Sequence, residues 1–466
     1  MRFTDLHYVL LLALAWVVSR LLRGSRLANV AWLTGISLVF YGHRNVGYLP
    51  LLAAATLLDF VVGARIAATD DTRARTRLLL VSVVGNLGML GVFKYGDFLL
   101  GGVEGLGRLL GAEWSLPRLG LGLPIGISFY SFQTLGYSID IYRRQSKPTA
   151  SLLDFSFFTA FFPQLIAGPI VRATELLPQI DRPARPEAGA IGEGLLLICI
   201  GMVKKMVLGD GIGRALVDPF FANPSHYNGP EALLADWAAY FSLYCDFSGY
   251  TDIAIGSALL FGITLPQNFD RPAFAPSPVE HWRRWHMTLG RWLRDYLYFP
   301  LGGSRGGPLL IWRNLFLVFF VSGVWHGVGA SYVLMGLYNG VLAATWRLLR
   351  PVPGAGAVGV FERLLCFQLT ALSVMALRPI ALTDLKAALV SLTAWQRPTG
   401  GLFDAQAAAL LALVVALHLS PRDWRAQLLR GARRASAPAL ALLLIVVGGL
   451  CAVSAVDARD FYYFQF

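Results

Sequence analysis

The chain has 466 residues, 56% of them hydrophobic and only 15% charged, with a mean hydropathy of +0.56 and a formal net charge of +12. Soluble domains carry roughly a quarter charged residues, so the composition excludes one. It points to a polytopic membrane protein, 1–466 as a single domain, with the arginines between spans facing cytoplasmic headgroups rather than nucleic acid.

Leu6–Val18 has the length of a signal-peptide core, but Arg20, Arg23 and Arg26 follow it without a small-residue cleavage site. A retained first helix with its N-terminus outside is expected. Further spans are expected near Leu27–Tyr41, Tyr48–Ile66, Leu78–Phe93 and Leu121–Ile139. Between them Arg65, Arg73, Arg75 and Arg77 fall on one side and the balanced Lys94–Arg118 loop on the other. Arg143, Arg144 and Lys147 then return to the first side. Phe155–Gly168 is short and interrupted by Pro163, which suits a re-entrant element buried in protein. Spans resume at Ile191–Leu208 and Ala232–Tyr244. Asp246 and Asp252 bracket FSGYT, read as an interfacial turn in which Asp252 caps the helix running on to Phe261.

Residues 264–313 form a different kind of segment, an amphipathic or re-entrant insert on the cytoplasmic side. Pro266, Pro272, Pro276 and Pro278 forbid a helix until Ser277, where Ser277-Pro278-Val279-Glu280 supplies an N-cap, a first-position proline and a glutamate three residues on. From there one helix is expected to run to about Phe299. Trp282, Trp285, His286, Leu289, Leu293 and Tyr296 recur on one face, while Arg283, Arg284 and Arg291 lie elsewhere and suit a mouth that attracts a phosphate-bearing donor. His281 and His286 are five apart and no H-E-x-x-H occurs, so a zinc site is not expected.

Asn314–Trp346 is an apolar run with His326 at its centre. Twelve helical steps from Asn314 place His326 roughly 18 Å down, about halfway through a hydrocarbon core of about 30 Å. An ionisable residue there is costly and marks a functional candidate. Gly323, Gly327 and Gly329 permit close approach of another backbone, and Trp325 and Asn339, with Trp282 and Trp285, are expected to line a substrate tunnel. Spans at Phe361–Leu377, Ala407–Leu419 and Ala437–Val456 complete the chain. Arg422, Arg425, Arg430, Arg433 and Arg434 place the start of the last one inside, and the aromatic tail 457–466 outside as an interfacial anchor. Cys199, Cys245, Cys366 and Cys451 are scattered in apolar sequence and are expected as buried thiols.

LPIGISFYSFQTLGYSIDIYR (Leu123–Arg143), FFPQLIAGPIVR (Phe161–Arg172), FSGYTDIAIGSALLFGI (Phe247–Ile263), the WRRWH-bearing stretch Asn268–Gly303, SGVWHG (Ser322–Gly327) and the terminal FYYFQF occur in this order. Together they resemble the membrane-bound O-acyltransferase family, in particular its bacterial alginate O-acetyltransferase branch. The resemblance implies an all-α fold, a ring of about 10–12 transmembrane helices around a central funnel, in a bacterial inner membrane with both termini periplasmic. It implies acetyl transfer from cytoplasmic acetyl-CoA, with no bound cofactor, towards a hydroxyl outside, on a periplasmic acetyl-accepting protein or a polysaccharide such as alginate. It maps the family's histidine onto His326, the branch's second histidine onto His286, and the tail tyrosine onto Tyr463, an acyl-relay candidate. Tyr462 stands where the branch usually has isoleucine. In chemical terms a neutral imidazole takes the acceptor's proton as its oxygen attacks the thioester, while His286 orients the thioester or donates to the oxyanion. The competing reading is a proton-coupled transporter or flippase using His326 as a relay, although no paired halves with matching broken helices are visible.

Overall fold

The computed structural model describes residues 2–181, 186–187, 189–349, 359–378, 381–421, 423–454, 459 and 461–462, and the regular structure among them is helical throughout. Five helices open the chain: α1 (Leu6–Leu21), α2 (Arg26–Gly42), α3 (Leu49–Ala67), α4 (Thr72–Leu109) and α5 (Ile127–Tyr142). Asp71 starts α4 by accepting from the amides of Arg73 and Ala74. α4 then runs on to Leu109, into the stretch expected as the Lys94–Arg118 loop, because Phe98, Leu99, Val103 and Leu106 keep an apolar pattern going beyond Phe93. The chain that follows folds back onto it, with Arg118 paired to Glu104 at 2.5 Å and the Leu119 amide donating to Asp97 at 2.6 Å.

Arg75 decides which helix ends meet. Its guanidinium donates to the carbonyls of Ile66 (2.6 Å), Ile141 (3.1 Å) and Tyr142 (2.8 Å), so one cation caps the C-termini of both α3 and α5. The arginines expected on a common side therefore share one end of the bundle. Arg143, at that end, donates to the Asp295 carbonyl at 2.9 Å and ties the 264–313 insert to it.

The core lies around the helix Gly229–Leu260, buried along nearly its whole length. Asp246 and Asp252 sit inside this continuous helix, which corrects the expected interfacial turn and cap. Lys205 lies between Asp210 (2.7 Å) and Asp246 (2.6 Å), and Asp252 pairs with Lys204 (2.7 Å) and Arg425 (2.5 Å). Buried carboxylates persist only when paired, so these charges pair within the protein rather than at an interface. Leu152–Ala160 and Phe162–Leu165 break at Phe161 and are enclosed by protein, with Phe155, Phe157, Phe158, Phe161 and Phe162 fully buried. All four cysteines are buried free thiols.

Among the described residues four helices are long and apolar enough to cross a membrane alone: Val46–Ala67, α4, Pro308–His326 and Ala437–Ser454. The others are shorter, or carry polar groups that neighbouring helices satisfy, as the Gly229–Leu260 helix does.

Asn314–Trp346 is not one span. Pro308–His326 and Ala330–Leu349 form an antiparallel hairpin, broken where Gly327 is extended and Gly329 takes φ +157°, which glycine tolerates best. His326 is the last residue of the first arm, roughly 27 Å along the helix from Pro308, rather than the middle of a through-going helix. At Gly323 an added Cβ would lie 2.6 Å from the Gly336 Cα and 2.6 Å from the Tyr332 carbonyl oxygen. Gly323→Ala is therefore expected to force the arms apart at a cost of about 1–3 kcal/mol, read as a lowered thermal midpoint of the detergent-solubilised protein.

Candidate active site

Ser277 caps the insert's helix as its sequence suggests, accepting from the Glu280 amide at 3.1 Å. The single helix expected from Ser277 to about Phe299 is, however, split. Pro278–Arg284 ends, His286 turns with φ +43°, and Met287–Leu293 follows before a π-helical turn at Arg294–Tyr298. A non-glycine residue in the left-handed region costs energy and persists only where its surroundings impose it. Asn268 imposes it here. Its carbonyl accepts from the Met287 amide (2.9 Å), and its side-chain oxygen accepts from the Thr288 amide (3.1 Å) and hydroxyl (2.9 Å). The Thr288 hydroxyl in turn accepts from the Ile170 amide at 3.0 Å, joining the kink to the AGPI stretch. The kink swings the His286 ring into the protein, where Phe247 meets it edge-on at 4.8 Å between centroids.

The other histidine arrives from the hairpin. His326 Nδ1 lies 2.6 Å from the Ser322 carbonyl oxygen. A carbonyl only accepts, so Nδ1 carries the proton in the neutral ring and Nε2 is its basic nitrogen. Trp325 connects the two histidines, 4.9 Å from the His326 ring and 6.2 Å from that of His286. It stacks on Phe132 at 5.4 Å, which stacks on Trp292 at 4.0 Å, while Trp292 donates to the Phe132 carbonyl at 2.8 Å. This aromatic column fixes hairpin, α5 and insert to one another.

His286 and His326 both line a cavity of about 1420 Å³, together with Trp282, Trp285, Phe319 and Ser322. Its wall also carries Arg283, Arg284, Arg291, Arg294 and Arg347. Arg284 pairs with Glu280 at 2.9 Å, Arg291 forks onto Glu175, and Arg283 is largely exposed, 3.6 Å from Glu280. Nearby, burial works against ionisation of Asp295, but its bonds to Arg294 and Arg172 outweigh burial and hold its carboxyl below the usual carboxylate range. On another side His326 lines a small cavity of about 40 Å³ with Trp325, Lys94, Ile166 and the turn entering α5, Pro124–Phe129.

Of the residues expected in a tunnel, Trp282 and Trp285 face the large cavity and Trp325 the small one. Asn339 lines neither. It is buried in the second hairpin arm, its amide donating to the Met335 carbonyl at 2.9 Å, because its own helix supplies the nearest acceptor. His281 is a packing residue, its Nδ1 3.1 Å from the Pro272 carbonyl oxygen, with burial pushing its pKa down to about 4. Tyr463 lies outside the described residues. The tail just before it packs inward rather than forming an interfacial anchor. Phe461 is fully buried and stacked on Tyr250 at 4.0 Å, the Tyr462 amide donates to Asp246 at 2.9 Å, and Arg459 pairs with Asp218 at 2.6 Å. Ser322 and Asn268 were not anticipated. Ser322 stands one helical turn before His326, a spacing the sequence does display, but Asn268 acts across a kink that local periodicity hides.

A model of the membrane-bound O-acyltransferase family matches residues 142–351. A probable alginate O-acetylase of Azotobacter vinelandii is 34% identical, over 95% of this chain and 95% of its own. The corresponding protein of Pseudomonas aeruginosa is 40% identical over 70% of this chain, and the match spans only 62% of that protein's length. A peptidoglycan O-acetyltransferase of Helicobacter pylori is 36% identical over 68% of this chain and 64% of its own.

The kink yields a stability test. Asn268→Ala leaves the buried Thr288 amide and hydroxyl without their acceptor, at an expected cost of about 1–3 kcal/mol. Asn268→Asp keeps an acceptor oxygen in place and is expected to lose less, both read from thermal unfolding in detergent.

Proposed function

From the premise that the chain belongs to the membrane-bound O-acyltransferase family, we propose that it moves an acetyl group from acetyl-CoA to a hydroxyl acceptor on the far side of the membrane. The product is an O-acetylated extracytoplasmic polysaccharide such as alginate. The observation that carries this reading is the position of His326, which lines both the large arginine-walled cavity and the small cavity beside α5. The arginines supply charge for the donor's phosphates, and the tryptophan-lined interior suits its apolar arm. The names of the relatives, probable alginate O-acetylases and a peptidoglycan O-acetyltransferase, favour a polysaccharide acceptor.

In the proposed step the acceptor hydroxyl oxygen forms a bond to the thioester carbonyl carbon while His326 Nε2 takes its proton. The resulting oxyanion collapses, the carbon–sulfur bond breaks, and the imidazolium returns the proton to the departing thiolate. His286 orients the thioester or donates to the oxyanion. Tyr463 is the proposed first acceptor. Its phenol takes the acetyl group and passes it as an aryl ester to a hydroxyl of a periplasmic partner, a phenolate being a better leaving group than an alkoxide. The inward path of Phe461 and Tyr462 supports this, since Phe461 lies 5.6 Å from Phe247, the ring that touches His286. The reading places the protein in a bacterial inner membrane with both termini periplasmic.

Inside-out vesicles given labelled acetyl-CoA test the base, because a transporter would not consume the thioester. His326→Ala, with its abundance checked by blotting, is expected to lose about 10²–10⁴-fold in transfer. Transfer at the parental rate would end the assignment. For the relay, Tyr463→Phe is expected to abolish polymer acetylation in cells while Tyr462→Phe retains it, and an acetylated polymer in the first variant would remove Tyr463 from the pathway.

A further inference from the structure

The helix that ends at His326 has an unusual terminus. Gly327 leaves it in an extended conformation, φ −173° and ψ 172°. The chain therefore lacks the left-handed turn that commonly folds following amides back onto a helix's last carbonyls. Those carbonyls are instead met by two consecutive residues of α4. Tyr95 Oη donates to the Val324 carbonyl at 2.7 Å, and Lys94 Nζ donates to that of Trp325 at 2.5 Å and that of His326 at 3.3 Å. The same ammonium lies 5.6 Å from the Trp325 ring centroid, within cation–π range.

We propose that Lys94 and Tyr95 are positioning residues for the transfer, a clamp that holds His326 in register with His286. The inference rests on the proposed role of His326 as base. An ammonium inside a membrane protein is costly and needs local compensation. Here the compensation comes from the negative end of the helix that carries the base. The three donors of an ammonium suit neighbouring carbonyls that diverge at a helix end. Both arms of the contact bear on chemistry. The carbonyl bonds set where the hairpin tip lies, and the Trp325 contact sets the ring that touches both histidines. Lys94 also lines the small cavity beside His326 and is absent from the wall of the large one. The clamp thus acts on the transfer step from the side away from the donor arginines.

The test varies acetyl-CoA over inside-out vesicles from the producing cells and scores label incorporated per unit of blotted protein. Lys94→Met is expected to lower the apparent maximal rate about tenfold or more, since small misplacements of catalytic groups carry penalties of that order, with KM for acetyl-CoA within about twofold. Tyr95→Phe, which removes a single oxygen, is expected to lower the rate by about threefold, again without moving KM. Lys94→Arg, which keeps a cationic donor, is expected to recover part of the rate lost by Lys94→Met. Parental rates in Lys94→Met or Tyr95→Phe, or a defect confined to KM, would overturn the clamp. If Lys94→Met does not accumulate, Tyr95→Phe decides alone. His326→Ala run in parallel separates the two ideas: activity there removes the base, whereas an inactive His326→Ala beside a fully active Lys94→Met removes only the clamp.

Discussion

A helix that stops inside a protein leaves its last carbonyls without partners, and the position of His326 depends on how that deficit is met. A backbone group buried in a membrane protein costs free energy unless it is bonded, so the protein supplies partners itself. The hairpin does so from two directions. Within the arm, the Ser322 carbonyl accepts a hydrogen bond from His326 Nδ1–H and fixes which nitrogen is basic. Across the bundle, α4 brings a phenol and an ammonium to the final turn. The break that creates the deficit also ends the helix on the cavity wall, where an imidazole can be reached.

The same rule explains the polar interior around the Gly229–Leu260 helix. Lys204, Lys205 and Arg425 meet Asp210, Asp246 and Asp252 in pairs that keep the buried carboxylates compensated. Asp246 serves twice, since it also receives the amide of Tyr462. The charge cluster is therefore where the tail docks as well as a solution to burial. From it a short series of rings, Phe461, Phe247 and His286, leads to the cavity.

Much of this was legible in residue order. The N-cap at Ser277, the glycines that admit a close backbone at Gly323 and the arginines that share one end were all anticipated from motif and spacing, whereas His286 and His326 were named together only by the family resemblance. The failures share a cause. A sequence window reads periodicity along one helix, and the periodicity of Trp282 to Tyr296 survives a kink that Asn268 imposes from outside the window. The apolar run from Asn314 to Trp346 likewise has one composition whether it crosses as a single helix or folds back at Gly327–Gly329. Asn339 was assigned to a tunnel because polar groups in apolar runs attract functional readings, yet its amide nitrogen donates to the Met335 carbonyl of its own helix and it lines neither cavity.

By itself the sequence determined that the chain lives in a membrane, that its helices bury polar groups, and that an ionisable His326 sits in an apolar run. Composition and local pattern suffice for those conclusions because hydrophobicity and helix caps act over a few residues. Only the tertiary structure decided that the two imidazoles share one arginine-walled cavity, that His326 stands at a hairpin tip, and that the Asp246 and Asp252 carboxylates are paired inside. Those outcomes depend on partners brought from distant parts of the chain, because a buried charge is stable only where a complementary group meets it, and here those groups come from other helices.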